Sequence, residues 1–162
     1  MSMPQLTDRT ALQRNRQRAK PDALFLQELA ADELQERLIE VNRTFKSIAI
    51  ITGFPEFWGK RFPEATVISD DETLALQPPA HDLLLHTMCL HWATDPVGQL
   101  VQCRHGLEPD GLLLCTFLGG QTLHELRSSL AEAEAAITGG LSPRIAPMGE
   151  IRDLGGLLQR AG

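Results

Sequence analysis

The stretch Ser47-Ile-Ala-Ile-Ile-Thr-Gly-Phe-Pro55 decides how the rest of the chain is read. Apolar and β-branched residues run from Ile48 to Ile51 without alternating with polar ones, and the run ends at Gly53. A strand with one wet face alternates, whereas one covered on both faces does not, so this is a buried strand of a parallel sheet. Pro55 suits the first position of a short helix reaching Phe62. Working outward, 65–69, 82–88 and 112–118 read as three further strands, with an acidic turn Asp70-Asp71-Glu72 after the second and a turn at Pro109-Asp110-Gly111 before the last. Helices precede, separate and follow these strands. A polar one runs from Thr10 to Lys20 and is stopped by Pro21. The next is capped by Asp22 and reaches about Asn42, with a stripe of Leu26, Leu29, Leu34, Leu38 and Val41. Asp95-Pro96 opens a helix that buries Val97, Leu100, Val101 and Leu107. Thr122-Leu-His-Glu125 reads as a capping box, opening a helix with Leu123, Leu126, Leu130 and Ile137 that stops at Gly139-Gly140. A last helix, about Gly149 to Ala161, buries Leu154, Leu157 and Leu158. Strands alternating with helices predict an α/β domain, with a parallel sheet of about four strands covered on both faces. A single domain is expected over 1–162, with N-terminal helices in 1–43 and the core in 44–162.

Composition narrows the classes. With 22% charged and 43% apolar residues among 162, the chain matches an ordinary globular domain. It has no apolar run of membrane-spanning length, and MSMPQLTDRT lacks a signal-peptide core, so no membrane association is expected. Cys89, Cys103 and Cys115 form no CxxC, which fits reduced thiols in a cytoplasm. Cys89-x-His91 and Cys103-x-His105 do not match a zinc spacing, and no metal is expected. The net charge of −6 is unevenly spread. Residues 1–20 carry Arg9, Arg14, Arg16, Arg18 and Lys20 against Asp8, a net of +4, which leaves −10 on the remainder. An acidic body argues against nucleic-acid binding, whose affinity comes from neutralised phosphates. The basic arm either meets an anionic partner or lies against the acidic body.

Three segments carry a family likeness: CLHWATDP (89–96), LEPDGLLL (107–114) and FLGGQTLHELRSSLAEAEAAITGGLSPRIAPMGEIRDLGGLLQRAG (117–162). Together they resemble one branch of the class I S-adenosylmethionine methyltransferases, the branch that holds a mitochondrial respiratory complex I assembly factor known as an arginine hydroxylase, with its bacterial methyltransferase relatives. The resemblance implies a Rossmann-like methyltransferase fold, S-adenosylmethionine as cofactor, and work on a protein substrate or an assembly intermediate. The alternative is a non-catalytic binding or assembly factor that retains the fold.

The resemblance also suggests site residues. The family's loop after the first strand reads D-x-G-x-G-x-G. Here it reads Ile50-Ile-Thr-Gly53-Phe-Pro-Glu56, so one glycine survives, and Phe54 and Pro55 are expected to obstruct close approach of the cofactor. Gly53 with Asp70 or Asp71 would form the cofactor site, the carboxylate accepting ribose hydroxyls; the other reading of the two acids is a solvated turn. His91 could position or deprotonate a substrate group and Trp92 could wall the cleft, or both belong to a packed loop. Gly119, Gly120, His124 and Arg127 would contact substrate, cofactor or partner, or form a turn with Arg127 ion-paired at the surface. Against the family plan, one strand–helix unit before the acidic turn reads as deleted and the closing strand pair as absent, as in a truncated product or in a chain whose sheet edge a partner supplies. An open sheet edge of that kind predicts a homo-oligomer or a complex.

Overall fold

A computed structural model describes residues 7–142, 144–145 and 148–162. Its centre is the quoted strand, β1 (Ile48–Thr52). It pairs in parallel with β2 (Thr66–Ser69) on one side and β3 (His81–Thr87) on the other. β3 pairs in parallel with β4 (Leu107–Thr116), giving a four-stranded sheet of order β2-β1-β3-β4. All four expected strands therefore lie in one parallel sheet. The last is longer than expected at its start. Pro109-Asp110-Gly111, read as a turn ahead of it, lies inside it as an irregularity: His81 pairs with Leu107 but Leu83 already pairs with Leu112, and Asp110 takes φ +65°. A local turn signal does not exclude a bulge that lets the strand re-pair beyond it.

The unbroken apolar run is explained by burial on both faces. Ile50, Leu83 and Leu85 pack on one side with Trp58 and Phe62 and with Ala30, Ala31 and Leu34. Ala49, Ile51 and Leu84 pack on the other with Ile68, Leu74, Cys89 and Cys103. Each such leucine or isoleucine contributes about 1.5–3 kcal/mol by leaving water. The first face is covered by α2 (Phe25–Val41) and α3 (Pro55–Arg61), the second by α4 (Pro96–Gly106). Asp95 caps α4 as expected, accepting from Gly98 N at 2.8 Å.

The stripe of α2 is rotated from the expected one. Gln27, Ala30, Ala31 and Leu34 are buried, while Leu26, Leu29 and Val41 are exposed. Two adjacent stripes fit the same spacing, and two facts of packing select between them. Gln27 accepts from Trp58 Nε1 at 2.9 Å in the interior, and alanines allow the helix to lie close to the sheet. Asp22 does not cap α2; it lies in a separate 3₁₀ turn, Pro21–Ala23.

No helix occurs between β2 and β3. Residues 70–80 cross there as an irregular segment, tied down by Gln102, which accepts from Leu74 N and donates to Glu72 O. Leu74 fills the face beside Ile51 that the segment crosses. At the other end, α6 (Ile151–Ala161) packs on α4, with Ala161 buried against Leu90 and Leu100. Leu158, expected inside, is exposed. α5 (His124–Thr138) buries no residue, and Leu123, Leu126 and Ile137 face outward. Its capping box does not form. Leu123 is the N-cap residue, at φ +55°, and the Thr122 hydroxyl donates back to Gly119 O at 2.7 Å.

Candidate functional site

From β1 the chain moves outward to β2, then returns across to β3 on the other flank. That reversal falls at the carboxyl ends of the central strands, where an open α/β sheet usually has its ligand crevice. Gly53 follows β1 there and Asp70 follows β2, so two of the expected site residues are brought together.

What joins them is a residue missed in the sequence reading. Arg16, on the N-terminal helix α1 (Arg9–Gln17), donates both terminal nitrogens to Asp70, Nη1 to Oδ1 and Nη2 to Oδ2, each at 2.8 Å. The side chains are 11% and 4% exposed, so this is a desolvated fork. The guanidinium also sits 5.9 Å from the Phe54 ring centroid and rests on Gly53, where an added Cβ would fall 2.1 Å from Arg16 Cζ. Arg9 adds a hydrogen bond to Asp70 O and an ion pair with Asp71 at 3.8 Å. The basic arm thus lies against the acidic body. The two acids part company: Asp70 points in, while the Asp71 side chain is 60% exposed.

His91 stands in a 3₁₀ turn, Leu90–Trp92, and its Nδ1 accepts from Leu118 N at 3.4 Å. Burial, aided by the positive charge of Arg16, pushes its pKa down to about 4. It is neutral at physiological pH, and with Nδ1 accepting, the proton sits on Nε2. That tautomer suits donating to a substrate oxygen better than taking a proton from one. Trp92 is half-buried, its ring 5.0 Å from that of His91. Behind them lies an inward network. His86 Nε2 donates to Gln99 Oε1 at 3.0 Å, Gln99 donates to Asp71 O, and Cys89 Sγ lies 3.5 Å from His86 Nδ1. Burial lowers the His86 pKa and pushes the Cys89 thiol well up, so the thiol stays protonated and unreactive.

Gly119, Gly120, His124 and Arg127 lie elsewhere. Gly119 and Gly120 line an apolar cavity of about 770 Å³ between β4, α4 and α6, walled by Leu100, Leu113, Phe117 and Leu157. The Gly120 amide is already spent on Gly149 O at 2.9 Å. His124 and Arg127 are exposed on α5, and Arg127 borders a separate groove with Glu134 and Arg144. Among the described residues, no three candidate ligands gather at one point as a metal would need, and no helix is long and apolar enough to cross a membrane.

No protein-family model matches the chain. Over 100 residues it is 42% identical to the mitochondrial arginine-hydroxylase NDUFAF5 of Mus musculus, covering 62% of this chain and 29% of that protein. Over 96 residues it is 33% identical to a malonyl-acyl-carrier-protein O-methyltransferase of Xylella fastidiosa, covering 59% and 30%. The chain spans about a third of the length of these curated relatives. Among solved structures, a SAM-dependent methyltransferase from Thermotoga maritima superposes with a TM-score of 0.58 at 14% identity, covering 86% of this chain and 73% of that one. The fold is that of the methyltransferases, and the sequence likeness is to the arginine-hydroxylase and methyltransferase branch expected from the motifs.

By the family resemblance, the methionine end of S-adenosylmethionine would lie beside Gly53 and its ribose on Asp70. Yet both Asp70 oxygens are taken by Arg16, and the space above Gly53 holds its guanidinium. With α1 docked, the crevice does not fit the cofactor.

Proposed function

We propose that this chain is a methyltransferase-like factor, related to S-adenosylmethionine enzymes and acting on a protein substrate or an assembly intermediate. One observation carries the reading: a buried carboxylate, Asp70, follows β2 at the carboxyl edge of the sheet, beside the end of β1 where Gly53 opens the first loop. A carboxylate there accepts two hydroxyls of a ribose. His91 would offer its Nε2–H to a substrate oxygen, and Trp92 a flat wall. The similarity to NDUFAF5 and to a methyltransferase supports the class. Among the described residues the outer edge of β4 is unpaired and Leu126 and Ile137 of α5 are exposed, which supports a protein partner or a second copy, because unpaired strand edges invite pairing.

A second reading is favoured by the occupied crevice: a binding or assembly factor that keeps the fold without catalysis. Calorimetric titration with S-adenosylhomocysteine separates the two. Micromolar binding, weakened at least tenfold by Asp70→Asn but not by Glu150→Ala, is expected of the enzyme-like reading. No heat at millimolar ligand would leave the scaffold reading, with the surface from Gly119 to Arg127 as the place to seek a partner. Sedimentation at micromolar concentration reports self-association directly, and a monomer under those conditions would remove the second copy from consideration.

A further inference from the structure

We infer that α1 is a detachable stopper that closes the switch-point crevice by charge, so that its docking and occupation of the crevice by a vicinal-diol ligand exclude one another. The inference rests on the reading of that crevice as a nucleoside site. Three observations lead to it.

First, the polar ties of α1 to the body among the described residues are ionic: Arg16 and Arg9 on Asp70, with Arg9 on Asp71. None of its residues is fully buried, though Ala11 and Leu12 are half-buried. A nine-residue helix with so little apolar burial is not stable alone, since nucleation is costly and short helices are marginal in water. Its order therefore depends on the clamp. Second, the clamp uses the atoms a diol would need. The Asp70 carboxylate can present its two oxygens to a guanidinium or to a pair of hydroxyls, not to both. Third, Arg16 occupies the one place on the first loop where the lack of a Cβ permits close approach, flat against Gly53 and beside the Phe54 ring. The closed state is also imperfectly satisfied. Arg9 Nη1 is buried without a hydrogen-bond partner among the described residues, which lowers the cost of lifting the helix relative to a fully bonded arm.

The experiment follows amide exchange of residues 9–17 in the full chain, alongside affinity for S-adenosylhomocysteine, in the wild type, Arg16→Gln and the exposed control Arg18→Gln. Arg16→Gln is expected to speed exchange across α1 at least tenfold and to tighten the ligand's Kd at least tenfold. Added ligand is expected to speed exchange of α1 in the wild type, and Arg18→Gln to change neither readout. Three results would overturn the stopper. α1 could stay protected in Arg16→Gln. Ligand could protect α1 further, making it a lid that closes over an occupant. Arg16→Gln could weaken binding, placing Arg16 in the ligand's own contacts. If Arg16→Gln frees α1 and still no ligand binds, the clamp stands and the nucleoside reading of the crevice is what fails.

Discussion

At the centre of the sheet, β1 and β3 present residues sealed on both faces, with Ile50, Leu84 and His86 fully out of solvent and the polar ones among them paired. At β4 and α5, further along the chain, a cavity opens beside Leu113 and Cys115, and Leu126 and Ile137 of α5 meet water. The strings that carry the family likeness are densest in this second region and thinnest in the first, where Gly53 is the one glycine of the loop after β1. Strength of resemblance and completeness of packing therefore run in opposite directions. Among the described residues the motif-rich helix α5 meets the segment after it, through Glu134 with Ser142 and Arg144, and leaves Leu126 and Ile137 in water. A motif-poor strand with every side chain placed is a core.

Truncation on either side of that contrast should separate most widely. Trp58 is fully buried, stacks on Phe62 and donates to Gln27, so Trp58→Ala is expected to cost about 3–5 kcal/mol in urea unfolding. Leu126→Ala on α5 should stay within about 0.5 kcal/mol. A comparable loss from Leu126→Ala would mean that α5 is packed in solution and would break the contrast.

Acid should probe the sealed region next. His91 is held neutral in the folded protein, with a pKa of about 4 against the ordinary 6.5. Between those values the unfolded chain takes up the proton first, so this contribution is full above about pH 6.5 and is lost as pH falls toward 4. The His86 shift has the same sign. The loss from His91 is expected to be on the order of 1–3 kcal/mol across that window. His91→Gln should flatten that part of the pH profile of the urea midpoint by the same amount. An unchanged slope would place His91 in water.

The smallest effect expected is in thiol chemistry. Burial raises the pKa of all three thiols, Cys103 and Cys115 to about 12 and Cys89 well above its ordinary value, so all should label slowly at pH 8 in the folded protein. Cys115 lines the cavity and Cys89 and Cys103 do not, so Cys115 should label first with a small alkylating reagent, by a factor of a few, as read by peptide mass. Labelling in the reverse order would close the cavity and remove the difference between the two regions.

Local pattern carried much of this protein. The run Ile48–Ile51 announced a strand buried on both faces and Asp95-Pro96 a capped helix. These two readings hold because backbone preference and solvent exposure act between neighbours in sequence. The methyltransferase fold came instead from the resemblance of the strings around 89–96 and 117–127 to a known family. Local pattern failed where two answers share one spacing, as in the rotated stripe of α2, or where a cap competes with a bond further back, as at Thr122. The state of the candidate site was decided only by tertiary structure. Arg16 and Asp70 are 54 residues apart, and nothing near either names the other. A basic arm and an acidic turn were both visible; that one guanidinium would settle on one carboxylate, over the one glycine able to receive it, depends on β1 and β2 standing side by side. Such a pairing is a product of chain closure, whose geometry is written in no short stretch of residues.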